Sequence, residues 1–91
     1  MSHHLGLFNA AEKGNVARLR ELLGRGADVN WANADKGGAT PLLVAARCGQ
    51  QACVEALLEV AGINVDQACL AGCTPLFAAA QGGHHRCIQA R

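Results

Sequence analysis

The sequence predicts an all-α fold built from repeated pairs of short helices, and three observations carry that prediction. First, a phrase recurs: Gly38-Ala39-Thr40-Pro41-Leu42-Leu43 and Gly72-Cys73-Thr74-Pro75-Leu76-Phe77 stand 34 residues apart, the kind of self-similarity that marks a repeat architecture. Second, each phrase leads into a small-residue step and then a glycine at the same offset, Ala45-Ala46 with Gly49 and Ala79-Ala80 with Gly83. Third, the segments after Gly14 and Gly49 carry apolar residues at helical spacing. The apolar fraction is 51%, much of it alanine, and aromatics are only 3%. A core of Ala and Leu suits closely approaching helices better than a β-sandwich, whose strands favour β-branched and aromatic residues.

Taken in order, the first unit is the least regular. Leu7-Phe8-Asn9-Ala10-Ala11-Glu12-Lys13-Gly14 aligns with Leu42 to Gly49, but Leu5-Gly6 replaces the Thr-Pro pair, as in a degenerate or capping unit. Gly14 supplies the permissive φ of a tight turn, and Asn15 is placed to cap a second helix. Val16, Leu19, Leu22 and Leu23 form one face of that helix. In the second unit Thr40 can cap a helix with Pro41 at its first position, where no amide donor is needed. Gly49 turns the chain into a helix whose apolar face is Cys53, Val54, Leu57 and Leu58. Gly26 and Gly62 are read as helix stops, followed by turn residues around a buried valine in Asp28-Val29-Asn30 and Asn64-Val65-Asp66. Thr74-Pro75 starts the third unit by the same device.

At 91 residues the chain holds one small domain, which buries only about 60% of the surface exposed on unfolding. The net charge is +1, with arginines scattered among acids, and this gives no electrostatic surface for nucleic acid. Glu21 and Arg25 form a favourable i,i+4 pair on a solvated helix face. MSHHLGLF lacks the basic start, apolar run and cleavage site of a signal peptide, no stretch approaches the length of a membrane span, and His3-His4 carries no signal. Five cysteines, an odd count, read as free thiols in a reducing compartment, the cytosol or the nucleus.

With the G-x-TPL-x-x-AA-x-x-G spacing seen twice and Gly26-Ala27-Asp28-Val29-Asn30 once, the chain resembles an ankyrin-repeat protein over roughly residues 5–91. The resemblance implies a solenoid of stacked helix-turn-helix pairs with projecting β-hairpin-like loops, in one domain. Its units run from about 5–37 (degenerate), through 38–71, to a truncated 72–91. Two departures stand out. The family usually carries histidine after Thr-Pro-Leu, where this chain has Leu43 and Phe77, so packing must replace that hydrogen-bond network. The loop from Asn30 to Thr40 is also two residues longer than that from Asp66 to Thr74.

Cys69, Cys73, His84, His85 and Cys87 have a spacing that invites a zinc reading. The repeat register opposes it: the first two lie on a projecting loop, the histidines open the next helix, and Cys87 takes the apolar position of Cys53. No metal and no cofactor is expected. Cys48 is the one thiol expected at an accessible helix end and has no histidine beside it, so no nucleophile–base pair is visible; the chain reads as a non-enzyme.

Partner contacts in this family, as the resemblance implies, fall on the loop tips and the concave face of the first helices. Here these positions are Trp31, Asn33, Asp35 and Lys36 on the first loop, and Glu12, Val44, Arg47, Cys48 and Gln81 on first helices. Trp31 has two readings, an interface anchor or a cover folded back over its own loop; Arg47 likewise faces a partner or pairs with Glu12. The function expected is protein–protein interaction without chemistry, with another protein as partner and neither nucleic acid nor membrane. A substrate-recognition arm of a ubiquitin-ligase adaptor is the first alternative, and a metal- or redox-active Cys/His protein the second. The third unit stops before the Leu-Leu pair matching Leu57-Leu58, so a fragment or short isoform is expected, its open C-terminal end met by further repeats or by self-association.

Overall fold

The computed structural model describes residues 3–81, so the expectations for Gly83, His84, His85, Cys87 and the helix containing Ile88 lie outside the described residues. Among the described residues five helices follow in order: α1 (His3–Lys13), α2 (Val16–Gly24), α3 (Pro41–Arg47), α4 (Gln51–Leu58) and α5 (Pro75–Gln81). A single 3-10 turn, Ala34–Lys36, sits in the loop between α2 and α3. The all-α reading holds, and the described residues form no strand beyond one antiparallel bridge, Asn33 to Ala39.

The helix starts are those that local chemistry dictates. Thr40 is extended (φ −93°, ψ 166°), and its hydroxyl accepts from the Leu43 amide at 3.2 Å with Pro41 at the head of α3. Thr74 repeats the bond to the Phe77 amide at 3.2 Å. Asn15 caps α2 through its Oδ1, which accepts from the Arg18 amide at 3.1 Å. The helix–helix turns need left-handed residues at Gly14 (φ 77°) and Gly49 (φ 71°), which only glycine adopts cheaply. α4 stops at Leu58, so Gly62 lies in the turn beyond the helix rather than at its end.

Stacking decides what is buried. α1 pairs with α2, α3 with α4, and α3 lies between α1 and α5. A helix covered on both flanks has little left for solvent, and every residue from Pro41 to Ala46 is buried. Leu43 and Thr40 are both inside, so packing does take the place of the family's histidine. The core runs from Leu7, Phe8, Leu19 and Leu22 through Leu43 and Val44 to Cys53 and Leu57. On α5, Phe77 is 51% exposed, whereas its counterparts Phe8 and Leu43 are at 0% and 1%.

The loops tie the units together. The amide of Leu70 donates to the carbonyl of Gly37 at 2.8 Å, joining the two projecting loops at their tips. At their bases, the Asn30 carboxamide bonds the next unit twice, as donor to Gly62 and as acceptor from Asn64. The amide of Asn33 donates to Ala39 at 2.8 Å and that of Cys69 to Cys73 at 2.9 Å. The first closure spans residues 34–38 and the second residues 70–72, which is the two-residue excess read from the sequence, taken up by the 3-10 turn.

Candidate functional site

The surface on which partner contacts were expected is built by the two loops and the ends of α1, α3 and α5. Asp35 and Lys36 are exposed on the 3-10 turn. Arg47 closes α3 and Cys48 caps it, both exposed, and Gln81 is exposed at the end of α5. Glu12 is half-buried, and its carbonyl accepts from Gln50 Nε2 at 3.0 Å, which fixes the α1–α2 turn to the next unit.

Two candidates change character. Val44 is 0% exposed; the helix position that looked outward is enclosed because α1 and α5 flank α3 on both sides. It is a core residue rather than a contact residue. Asn33, 5% exposed, points into its own loop: its Oδ1 accepts from the Asp35 amide at 3.0 Å and its carbonyl from the amides of Lys36 and Gly38 at 3.0 and 2.9 Å. A buried amide side chain must have partners, and Asn33 obtains them by capping the 3-10 turn.

Trp31 is half-buried and takes the covering position. Its ring stacks on His4 at a centroid distance of 6.1 Å and meets Phe8 edge-on at 6.3 Å, both favoured aromatic geometries. His4 in turn accepts the Asp28 amide at Nδ1, 2.9 Å away. The residue pair dismissed in the sequence thus contains the side chain that pins the first loop to α1. No local signal marks His4, because its partners lie 24 or more residues away.

The sequence reading also passed over Leu70. It is 87% exposed at the tip of the second loop, while its amide is held by Gly37. The signal was an apolar residue inside a turn, in Cys69-Leu70-Ala71-Gly72-Cys73. Arg47 lies near enough to Cys73 for its charge to favour the thiolate there, so the α3 end and the second loop are adjacent parts of one surface.

The interior offers little chemistry. A small apolar cleft of about 20 Å³ between α3, α4 and α5 is lined by Leu42, Ala46, Val54, Leu58, Val65, Pro75, Leu76 and Ala79, with no titratable side chain. Cys53 is buried, which pushes its thiol up, and its Sγ faces the Ala10 carbonyl. Among the described residues no three of His, Cys, Asp or Glu gather as metal ligands, and no helix is long and apolar enough to cross a membrane.

A helical repeat stack with linked projecting loops and an exposed rim defines a class of binding scaffold. The family model for ankyrin repeats (3 copies) matches residues 7–90, and the chain belongs to the ankyrin-repeat family. The chain is similar to rat (Rattus norvegicus) Arf-GAP with coiled-coil, ANK repeat and PH domain-containing protein 2, at 44% identity over 63 residues. The human (Homo sapiens) protein of that name is 43% identical over 63 residues. The matched segment is 69% of this chain and 8% of either relative. The crystal structure of the human ASB11 ankyrin repeat domain superimposes with a TM-score of 0.81 at 34% identity, covering 91% of this chain and 36% of that one. Ankyrin repeats are, in general, protein–protein interaction modules rather than catalysts.

Proposed function

We propose that this chain binds another protein through its loop tips and the exposed ends of its first helices, and performs no catalysis of its own. The observation that carries the reading is the joined pair of loop tips: an 87% exposed leucine, Leu70, stands on a hairpin anchored to the neighbouring loop through Gly37. An apolar side chain on a backbone already held in place costs less to dock than one on a free loop. Asp35 and Lys36 are exposed on the turn beside Gly37, and exposed Arg47 lies near the Cys73 end of the second loop; together with Leu70 they offer an apolar side chain and both signs of charge. Neither a basic stripe for nucleic acid nor a membrane-spanning helix competes with this reading among the described residues. The odd count of five cysteines supports placement in a reducing compartment, cytosol or nucleus.

The test is affinity capture with matched variants. Leu70→Glu and Lys36→Glu should each lose the captured partner about ten-fold, roughly 1.4 kcal/mol. Arg20→Ala, on the α2 side where Arg20 meets Glu59 at 3.5 Å, should capture as the unaltered chain does. Equal capture by all three would place the contact elsewhere. The likeness to the ASB11 ankyrin domain keeps a second reading, the substrate-recognition arm of a ubiquitin-ligase adaptor. It requires that the captured partner's ubiquitination rise with the chain and fall with Leu70→Glu.

A further inference from the structure

Cys69 and Cys73 close the second projecting loop face to face. The Gly72 amide donates to the Cys69 carbonyl at 2.9 Å, and the Cys69 amide donates to the Cys73 carbonyl at 2.9 Å. Gly72 is left-handed, φ 86°. A turn followed by a left-handed glycine is the three-residue hairpin loop, and it sets its two closing residues directly opposite. Residues opposed across a hairpin lie about 4.5–5.5 Å apart at Cα, inside the window of about 4.4–6.8 Å that a disulfide requires. Both thiols are half-buried, within reach of a small molecule, and each shifts the ionisation of the other.

Their surroundings divide the roles. The backbone amide of Cys73, and less so that of Ala71, faces the Cys69 sulfur and holds its thiol below the ordinary range. The Cys73 thiol is held above it, chiefly by Cys69, with Arg47 opposing weakly. Cys69 is therefore the nucleophile and Cys73 the thiol that answers it. Cys53 is sealed in the core and Cys48 stands on a different element, at the end of α3.

We infer that Cys69 and Cys73 are a reversible dithiol–disulfide pair, oxidised by low-molecular-weight disulfides, whose closure rings the loop that presents Leu70. The Cys69 thiolate attacks one sulfur of the small disulfide and expels one thiolate, leaving a mixed disulfide on Cys69. Cys73 then gives up its proton, its sulfur attacks the Cys69 sulfur, and the second small thiolate leaves. The two cysteine protons end on the two small thiols, and two electrons pass from the pair to the small disulfide. Leu70, whose amide reaches Gly37, lies within the ring, so the redox state acts on the segment that joins the two loop tips.

The experiment equilibrates the reduced 91-residue chain across a series of oxidised-to-reduced glutathione ratios, quenches with acid and alkylates. Mass spectrometry then reads the state of each cysteine, with chymotryptic cleavage after Leu70 leaving disulfide-linked fragments. Cys69 and Cys73 should be lost together, one for one, at an oxidant ratio at least about ten-fold below that which modifies Cys48. Cys73→Ser should stop at a glutathione adduct on Cys69, with an unchanged far-ultraviolet circular dichroism spectrum. Independent glutathione adducts at Cys69 and Cys73 in the unaltered chain would overturn the inference. So would a pair still reduced where Cys48 is already modified; neither readout depends on how the variant folds.

Discussion

Asn30 and Asn64 are bonded across consecutive repeat units: the Asn64 amide donates to Asn30 Oδ1 at 2.8 Å, while Asn30 Nδ2 donates to the Gly62 carbonyl at 2.9 Å. One side chain thereby satisfies two backbone groups of the next unit's turn. Each residue also holds a local turn, with Asp28 Oδ1 accepting from the Asn30 amide and Asn64 Oδ1 from the Asp66 amide. Asn30→Ala should lower stability by about 1–2 kcal/mol through two lost hydrogen bonds, which is roughly 4–16 °C in Tm for a domain of this size. Asn30→Asp keeps only the acceptor and should fall between. Thermal melts of the three proteins check the order.

Trp31 is the sole tryptophan, so its fluorescence reports its own packing. Against His4 and Phe8 it covers the aromatic end of the core. Trp31→Ala should cost about 2 kcal/mol, below the ~3–5 kcal/mol of a fully buried aromatic, and Trp31→Phe less than half of that. If Trp31→Ala melts as the unaltered chain does, the ring is not a cover.

Two glycines should respond oppositely to alanine. At Gly14 the backbone is left-handed, and a Cβ would press into the Gln50 carboxamide that holds Glu12. Gly14→Ala should therefore destabilise by about 1–2 kcal/mol. Gly24 ends α2 with nothing within 4 Å of a Cβ, and Gly24→Ala should stabilise by about 0.5 kcal/mol. Urea midpoints with unchanged slopes decide both.

Thr40 is buried, and its hydroxyl caps α3 at the centre of the stack. Thr40→Ala should cost about 1–2 kcal/mol, the upper range for a lost cap, and Thr40→Ser less. Hydrogen exchange should localise the loss to the first turn of α3.

Glu21 carries an acid-range signature. A hydrogen bond from Arg18, then the charges of Arg18 and Arg25, hold its carboxyl below the usual 4.5. A carboxyl depressed on folding stabilises above its unfolded pKa, and the gain disappears as pH falls through the folded one. The stability difference between the unaltered chain and Glu21→Gln should thus be constant above about pH 5.5 and close below about pH 4.5. Salt should shrink it, because the pair is exposed.

What was legible in advance was whatever a residue does with its neighbours in sequence. Thr40, Thr74 and Asn15 cap helices through bonds three residues long; Gly14 and Gly49 turn the chain; the periodic leucines face inward. These depend on local sterics and on donor–acceptor spacing, so the sequence by itself determined the helices, the repeat and the family. The candidate site was legible only in its exposed charges. Val44 looked like a surface position because the helix pattern does not say that α3 is flanked on both sides. Asn33 looked available although its cap is a bond two residues long, to the Asp35 amide of an exposed turn, and Trp31 because nothing local shows that it lies on His4. Only the tertiary structure decided those placements, together with the Asn30–Asn64 bond and the Leu70–Gly37 join. The Trp31–His4, Asn30–Asn64 and Leu70–Gly37 placements rest on contacts 27 to 34 residues apart in sequence, which stacking creates and periodicity cannot encode.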